Sequence, residues 1–295
     1  MYKTHFGLRE VPFSITPDTS FFFNCPHAQE ALNTLLVAAK NGEGFIKITG
    51  EVGTGKTLLC RKFMASVGPQ FVTAYIPNPY LEPRTLMLAL ADELEITLEK
   101  DVDQHHLLKA ITHRLISLAV QNKKVVLCLD EAQAIPVESL EALRLLTNLE
   151  TQKRKLLQIV LFGQPELNTN LQLTSIRQLA QRITFQYHLG PLKRDDLEYY
   201  IAHRLRIAGF KGARLFTPAA IRRMYSASGG IPRLVNILAH KALMLSYGQG
   251  KHQVTRRHVA DAAADTVKEK PSAWPWLAAA LVLAAASGLT WALRA

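Results

Sequence analysis

Eight consecutive residues, Gly50-Glu51-Val52-Gly53-Thr54-Gly55-Lys56-Thr57, carry the clearest chemistry in the chain. They satisfy G-x-x-x-x-G-K-[ST], the spacing of a loop that wraps phosphate groups. Gly50, Gly53 and Gly55 let the backbone curl until several N–H groups point at one anion. Lys56 would reach the β- and γ-phosphates, and the Thr57 hydroxyl would hold Mg²⁺. Residues 44–49 alternate apolar and polar as a short strand would. Residues 58–64, free of Gly and Pro, favour a helix whose dipole adds positive charge at its start. The candidate nucleotide contacts are therefore the eight loop residues and Leu58, with ATP and Mg²⁺ as the expected cofactors.

Such a site also needs a group to activate water, and the elements that must position it can be read further along. Residues 125–129 (VVLCL) are continuously apolar, as a strand buried on both faces of a parallel sheet is, and they end in Asp130-Glu131. At the C-terminal end of such a strand, Asp130 would help hold Mg²⁺ and Glu131 would polarise the attacking water. A solvated acidic turn is the plainer alternative. Residues 71–76 read as another strand, followed by a helical stretch over 81–94. Residues 156–162 read as a fourth, running into Gly163-Gln164-Pro165-Glu166. Gln164 would contact the γ-phosphate or the water there, or else cap the turn. Strands alternating with helices as far as Gln186 predict an α/β fold, a P-loop parallel sheet with helices on both faces. Beyond Pro191 the pattern is helical over 195–208, 218–227, 232–247 and 255–267, and reads as a helical lid. Gly229-Gly230 breaks it before Ile231-Pro232. Arg233 would then lie over the nucleotide and couple phosphate state to lid angle.

The 295 residues allow one large or two small domains, and 48% hydrophobic with 20% charged residues excludes a disordered chain or a polytopic membrane protein. A net charge of +11 permits contact with nucleic acid or an anionic lipid surface. The basic residues fall in short pairs such as Arg222-Arg223 and Arg256-Arg257, so solvated faces account for most of the excess and a nucleic-acid partner is not expected. Cys25, Cys60 and Cys128 lack C-x-x-C spacing and suggest no metal site; Cys60 and Cys128 read as small core residues of a reducing compartment. The N-terminus has no apolar signal-peptide core.

The far end changes character: no charge falls between Lys270 and Arg294. Residues 276–293 would span about 27 Å as a helix, enough to cross a bilayer core. Trp274, Trp276 and Trp291 would sit at the two interfaces. A buried Ala-rich core helix is the alternative. Lys268 and Lys270, with Arg256 and Arg257 upstream, outweigh Arg294, so the positive-inside rule leaves everything before Lys270 in the cytoplasm. Ala280, Ala284, Gly288 and Ala292 recur every fourth residue, which suits close helix contact. The expected organisation is a nucleotide-binding core over 1–190, a helical lid over 191–267, a linker over 268–273 and one C-terminal transmembrane helix over 274–294.

Taken in order, GEVGTGKT, LCLDEAQ, IVLFGQPEL, QLAQRI and SGGIPRLVN resemble the AAA+ ATPases of the ExeA/GspA type, as do FGLREVPFSITPD and HAQEAL upstream. The resemblance covers about residues 1–266, and within the group it is strongest to members that serve MSHA-like type IV pilus biogenesis. It implies an ASCE-type sheet with a helical lid, ATP hydrolysis, a homo-oligomer at the inner membrane, and partners among pilus or secretion assembly proteins. It makes Lys56 and Thr57 the nucleotide and Mg²⁺ contacts, Asp130 and Glu131 the Walker B pair, Gln164 sensor 1 and Arg233 sensor 2. Arg182, in QLAQRI, falls where such ATPases can carry an arginine finger that reaches a neighbour's γ-phosphate; it is otherwise an ordinary surface arginine. A finger of that kind is worth about three to five orders of magnitude in rate. Phe6, Pro12 and Phe13 either wall the adenine or pin the N-terminal arm to the core. ExeA-like relatives carry a peptidoglycan-binding domain beyond the membrane segment, whereas this sequence ends two residues after Leu293, so cell-wall contact is expected from a partner. The readings from other classes are a DNA-associated AAA+ ATPase and a nucleotide-gated scaffold that binds ATP and barely turns it over.

Overall fold

The computed structural model describes residues 2–151 and 154–266. The linker and transmembrane helix expected over 268–294 lie outside the described residues. In chain order the elements are α1 (Tyr2–His5), α2 (Pro26–Asn41), β1 (Phe45–Thr49), α3 (Lys56–Ser66), β2 (Phe71–Ile76), α4 (Pro83–Glu93), α5 (Gln104–Val120) and β3 (Lys124–Leu129). There follow α6 (Val137–Leu146), a short β4 (Glu150–Thr151) and β5 (Arg154–Lys155), β6 (Leu157–Gly163), α7 (Glu166–Leu171), α8 (Arg177–Ala180) and β7 (Ile183–His188). The chain then turns helical: α9 (Arg194–Ile207), α10 (Pro218–Ser228), α11 (Pro232–Gly248) and α12 (Arg256–Thr266).

Five strands form one parallel sheet in the order β2-β3-β6-β1-β7. Parallel neighbours need crossovers, and the intervening helices supply them, covering both faces. On one face Leu127, Leu129, Ile159 and Leu161 pack with α4, α5 and α6; on the other Ile48, Val126, Cys128 and Phe162 pack with α2 and α3. The central strands β3 and β6 are therefore buried on both sides, which is why their sequences are apolar without alternation. The apparent alternation of β1 has a different origin from a half-exposed strand. Both its faces are buried around half-buried Lys47, whose ammonium donates to Asn168 Oδ1 at 2.7 Å.

A second body packs α9 to α12 around Leu197, Met224, Val235, Leu238 and Val259. The arm that opens the chain belongs to this body. Phe6, Leu8, Phe13 and Phe21 are buried in the lid core, and the ring of Phe13 meets Phe216 edge-on at 5.8 Å. The expected division gave residues 1–190 to the sheet domain; the arm's buried aromatic residues share a cluster with the lid helices. The arm's aromatic side chains find their burial against the lid, and nothing in their spacing says which body will receive them.

The two bodies meet at the phosphate loop. Leu192 N–H donates to Gly230 O at 2.9 Å, and Arg233 N–H donates to Gly53 O at 3.1 Å. Both junction glycines have positive φ and no room for a side chain: a Cβ on Gly53 would lie 2.6 Å from Arg233 Cβ, and one on Gly230 would lie 2.2 Å from Leu192 O.

Candidate active site

β1 delivers residues 50–55 to the C-terminal edge of the sheet, where α3 begins at Lys56. Lys56 is buried, and its ammonium donates to Gly50 O at 2.7 Å and Glu51 O at 3.0 Å. Burial holds its pKa below the ordinary lysine range against the opposing pull of Glu131 and Asp130. Thr57, one residue further into α3, donates its hydroxyl to Asp130 Oδ2 at 2.6 Å. The other oxygen, Asp130 Oδ1, accepts the Glu131 N–H at 3.0 Å. Burial raises the Asp130 pKa, opposed by these two hydrogen bonds. A hydroxyl and a carboxylate brought together beside a buried lysine form the hard-oxygen donor set that suits Mg²⁺ on a triphosphate.

Glu131 is held in an unusual way. Its φ of 50° is left-handed, a conformation that costs a residue with a side chain about 1 kcal/mol or more. Its Oε2 accepts from Gln133 Nε2 at 2.7 Å and Gln164 Nε2 at 3.2 Å. Gln133 is fixed in turn, because its Oε1 accepts the Gln164 N–H at 2.9 Å. Burial pushes the Glu131 carboxyl up, but the Gln133 and Gln164 amides, with Lys56, outweigh it and hold the pKa below the usual carboxylate value. The group is therefore ionised at neutral pH.

Lys56, Thr57, Glu131, Arg233, Arg204 and Asn236 share one cleft of about 270 Å³ between the loop and the lid. Its far wall is the arm at Ser14, Ile15, Thr16 and Pro17. Arg204, buried, fixes this wall by donating to Pro12 O at 2.6 Å and Ser14 O at 3.1 Å. A smaller cavity of about 70 Å³ adjoins the loop, where Phe22, Phe23, Leu58, Pro191, Tyr200 and Pro232 offer flat and apolar walls. Phe6 and Phe13 line neither space and pin the arm to the lid; Pro12 is buried and contributes its carbonyl to Arg204.

Arg182 stands apart from this group. It precedes β7, which runs parallel to β1 with Ile183 beside Phe45 and His188 beside Thr49. It therefore lies one strand length, about 17–20 Å, from Gly50. Its Nη1 donates to Thr147 Oγ1 at 3.2 Å and Arg144 O at 3.3 Å.

The AAA domain family matches residues 39–171. General secretion pathway protein A of Aeromonas hydrophila is 42% identical over 263 residues, which are 89% of this chain and 48% of that protein. The chain belongs to the AAA+ ATPases of the GspA type. It spans about half the length of the curated relative it matches. Among solved structures, CDC6P from Pyrobaculum aerophilum is similar with a TM-score of 0.68 at 17% identity, covering 85% of this chain and 71% of that one. ORC2 from Aeropyrum pernix, in its ADPNP-ADP complexes, gives 0.62 at 17% identity, covering 88% and 74%. These likenesses concern the fold alone.

Of the residues named from the sequence, Val52, Gly53, Gly55, Lys56, Thr57, Leu58, Glu131 and Arg233 line the cleft, and Asp130 and Gln164 join it through their hydrogen bonds to Thr57 and Glu131. The residues that sequence reasoning missed are Gln133, Arg204, Asn236 and the aromatic pair Phe22-Phe23. Gln133 had a faint signal, three residues after Asp130 in LCLDEAQ. Arg204 had none, since a basic residue in an amphipathic helix reads as solvated.

Proposed function

We propose that this chain is a membrane-anchored ATPase that assembles with copies of itself and uses ATP to support the building of an MSHA-like type IV pilus or a related secretion apparatus at the inner membrane. The observation that carries the ATPase half is the clamped Glu131 lining one cleft with Lys56 and Thr57, whose hydroxyl is bonded to Asp130. The secretion half is supported by the name of the Aeromonas hydrophila relative. The anchoring is supported by the uncharged, Trp-flanked stretch over 274–293.

In this reading the loop N–H groups and Lys56 bind the β- and γ-phosphates, and Lys56 exchanges its carbonyl acceptors for phosphate oxygens. Thr57 and Asp130 would hold Mg²⁺, which neutralises charge on the triphosphate when bound. Glu131 orients the attacking water and accepts its proton, with Gln133 and Gln164 fixing the carboxylate. The base packs into the cavity walled by Phe22, Phe23 and Pro191. Arg233, on the lid side, feels the γ-phosphate, and its N–H bond to Gly53 carries that state into α11. Arg182 is too far to serve its own cleft, so as a finger it acts on a neighbour's.

Lys56→Ala in the native host tests the whole reading. The expected outcome is loss of surface pili or secretion while the variant stays in the alkali-resistant membrane fraction. Unimpaired assembly would overturn the proposed function, and a variant or wild-type chain extracted by alkali would overturn the anchoring.

A further inference from the structure

From residue 199 to residue 260 the chain holds eleven Lys and Arg and no Asp or Glu. This stretch makes up most of the lid, so the net charge of the protein is concentrated there. The fold gathers part of it at one end. Phe216 and Val254 form a parallel bridge, with Thr217 N–H donating to Val254 O at 3.0 Å and Val254 N–H to Leu215 O at 2.8 Å. That bridge brings the segments 211–222 and 251–257 side by side. Lys211, Arg214, Arg222, Lys251, Arg256 and Arg257 are all exposed there. The carboxylates close in sequence are Glu198, which pairs with Arg214, and Asp261, a turn further along α12.

This end is remote from the nucleotide. α11 starts at the phosphate loop, through the Arg233 N–H bond to Gly53, and its 17 residues end just before the basic segment. At 1.5 Å per residue the basic end lies about 25 Å from the loop. Such a surface is too distant to bind the triphosphate, and it fits an extended polyanion.

We propose that this end of the lid rests on an anionic lipid bilayer. The proposal rests on the membrane-anchored reading above. The chain leaves α12 at Thr266 and reaches Trp274 after seven residues, which extend to about 25 Å. That exceeds the length of α12, about 16 Å, so an apolar segment entering the bilayer can follow while the opposite end of α12 touches its surface. Each cation near an anionic leaflet strengthens the attraction about fivefold, and the effect falls off within a Debye length. The lid is then braced between the phosphate loop and the membrane, with α11 as the strut. A change of lid angle on hydrolysis pulls the sheet domain relative to the bilayer.

Lysine footprinting of the full chain tests this. The protein is placed in nanodiscs of phosphatidylcholine alone or with one-third phosphatidylglycerol, and acylation of Lys211 and Lys251 is compared with that of exposed Lys109 on α5. The expected result is labelling of Lys211 and Lys251 slowed about threefold or more in anionic discs only, with Lys109 unchanged. The protection disappears in 0.5 M salt and in the Arg222→Gln, Arg256→Gln, Arg257→Gln variant, whose ATPase in neutral discs stays at the wild-type rate. Equal labelling in the two discs overturns the proposal, as does protection by duplex DNA with none by lipid. If the chain fails to insert, the anchored reading falls separately, and the same labelling with free vesicles of the two compositions still decides the lid surface.

Discussion

At the residue scale, the site is defined by how Glu131 is restrained. A carboxylate that polarises water must keep one rotamer and stay ionised, and Gln133 and Gln164 supply both conditions through hydrogen bonds to the same oxygen. Glu131→Gln is expected to bind ATP with near wild-type affinity and lose turnover by about a hundredfold or more. Comparable loss of binding, measured by fluorescent-nucleotide titration, would remove Glu131 from that role. Gln133→Ala is expected to lower kcat by about tenfold with KM within about twofold, because it frees the carboxylate without touching the phosphates. A rise in KM with kcat unchanged would instead put Gln133 on the nucleotide. The phosphate loop was legible in the sequence because its chemistry depends on local spacing alone. The work of Gln133 was not, because it depends on a backbone N–H thirty-one residues away.

At the scale of elements, the lid is expected to be the acid-sensitive part. His203 on α9, His240 on α11 and His258 on α12 each have a pKa below the ordinary 6.5, mainly through burial. His203 Nε2 is buried without a hydrogen-bond partner among the described residues. A histidine with a depressed folded pKa takes up its proton more readily in the unfolded chain, so stability is full above about pH 6.5 and falls as the pH drops below it. Amide exchange in α9 to α12 is expected to speed up between pH 7.5 and 5.5, after correction for intrinsic rates, more than in β3 or β6. Equal changes in the two bodies would contradict the assignment. Gly53→Ala is expected to loosen the lid from the loop, since its Cβ would collide with Arg233. The four lid helices were readable from Pro and Gly punctuation to within two residues. The arm was not, because aromatic spacing records that side chains are buried and not against what.

At the scale of the whole molecule, the proposed function leaves one group to come from another copy, a cation on the γ-phosphate from the neighbour's side. Arg182 lies a strand length from its own loop, so the proposed finger role would have it act in another copy's cleft. Arg182→Ala and Glu131→Gln, each weakly active, are expected to recover activity when mixed, since the finger of one chain then meets the base of the other. No recovery at any ratio would return Arg182 to a structural role beside Thr147 and Arg144. The parallel sheet was legible from its apolar strands. The strand order was not, because β6 and β1 meet through pairing across more than a hundred residues. Hydrolysis by an assembled site is checked by steady-state phosphate release per chain, measured across protein concentration for wild type and Lys56→Ala. The specific rate is expected to rise with concentration and to collapse in Lys56→Ala; a flat rate near background, or one that survives the loss of Lys56, would overturn assembly-dependent hydrolysis.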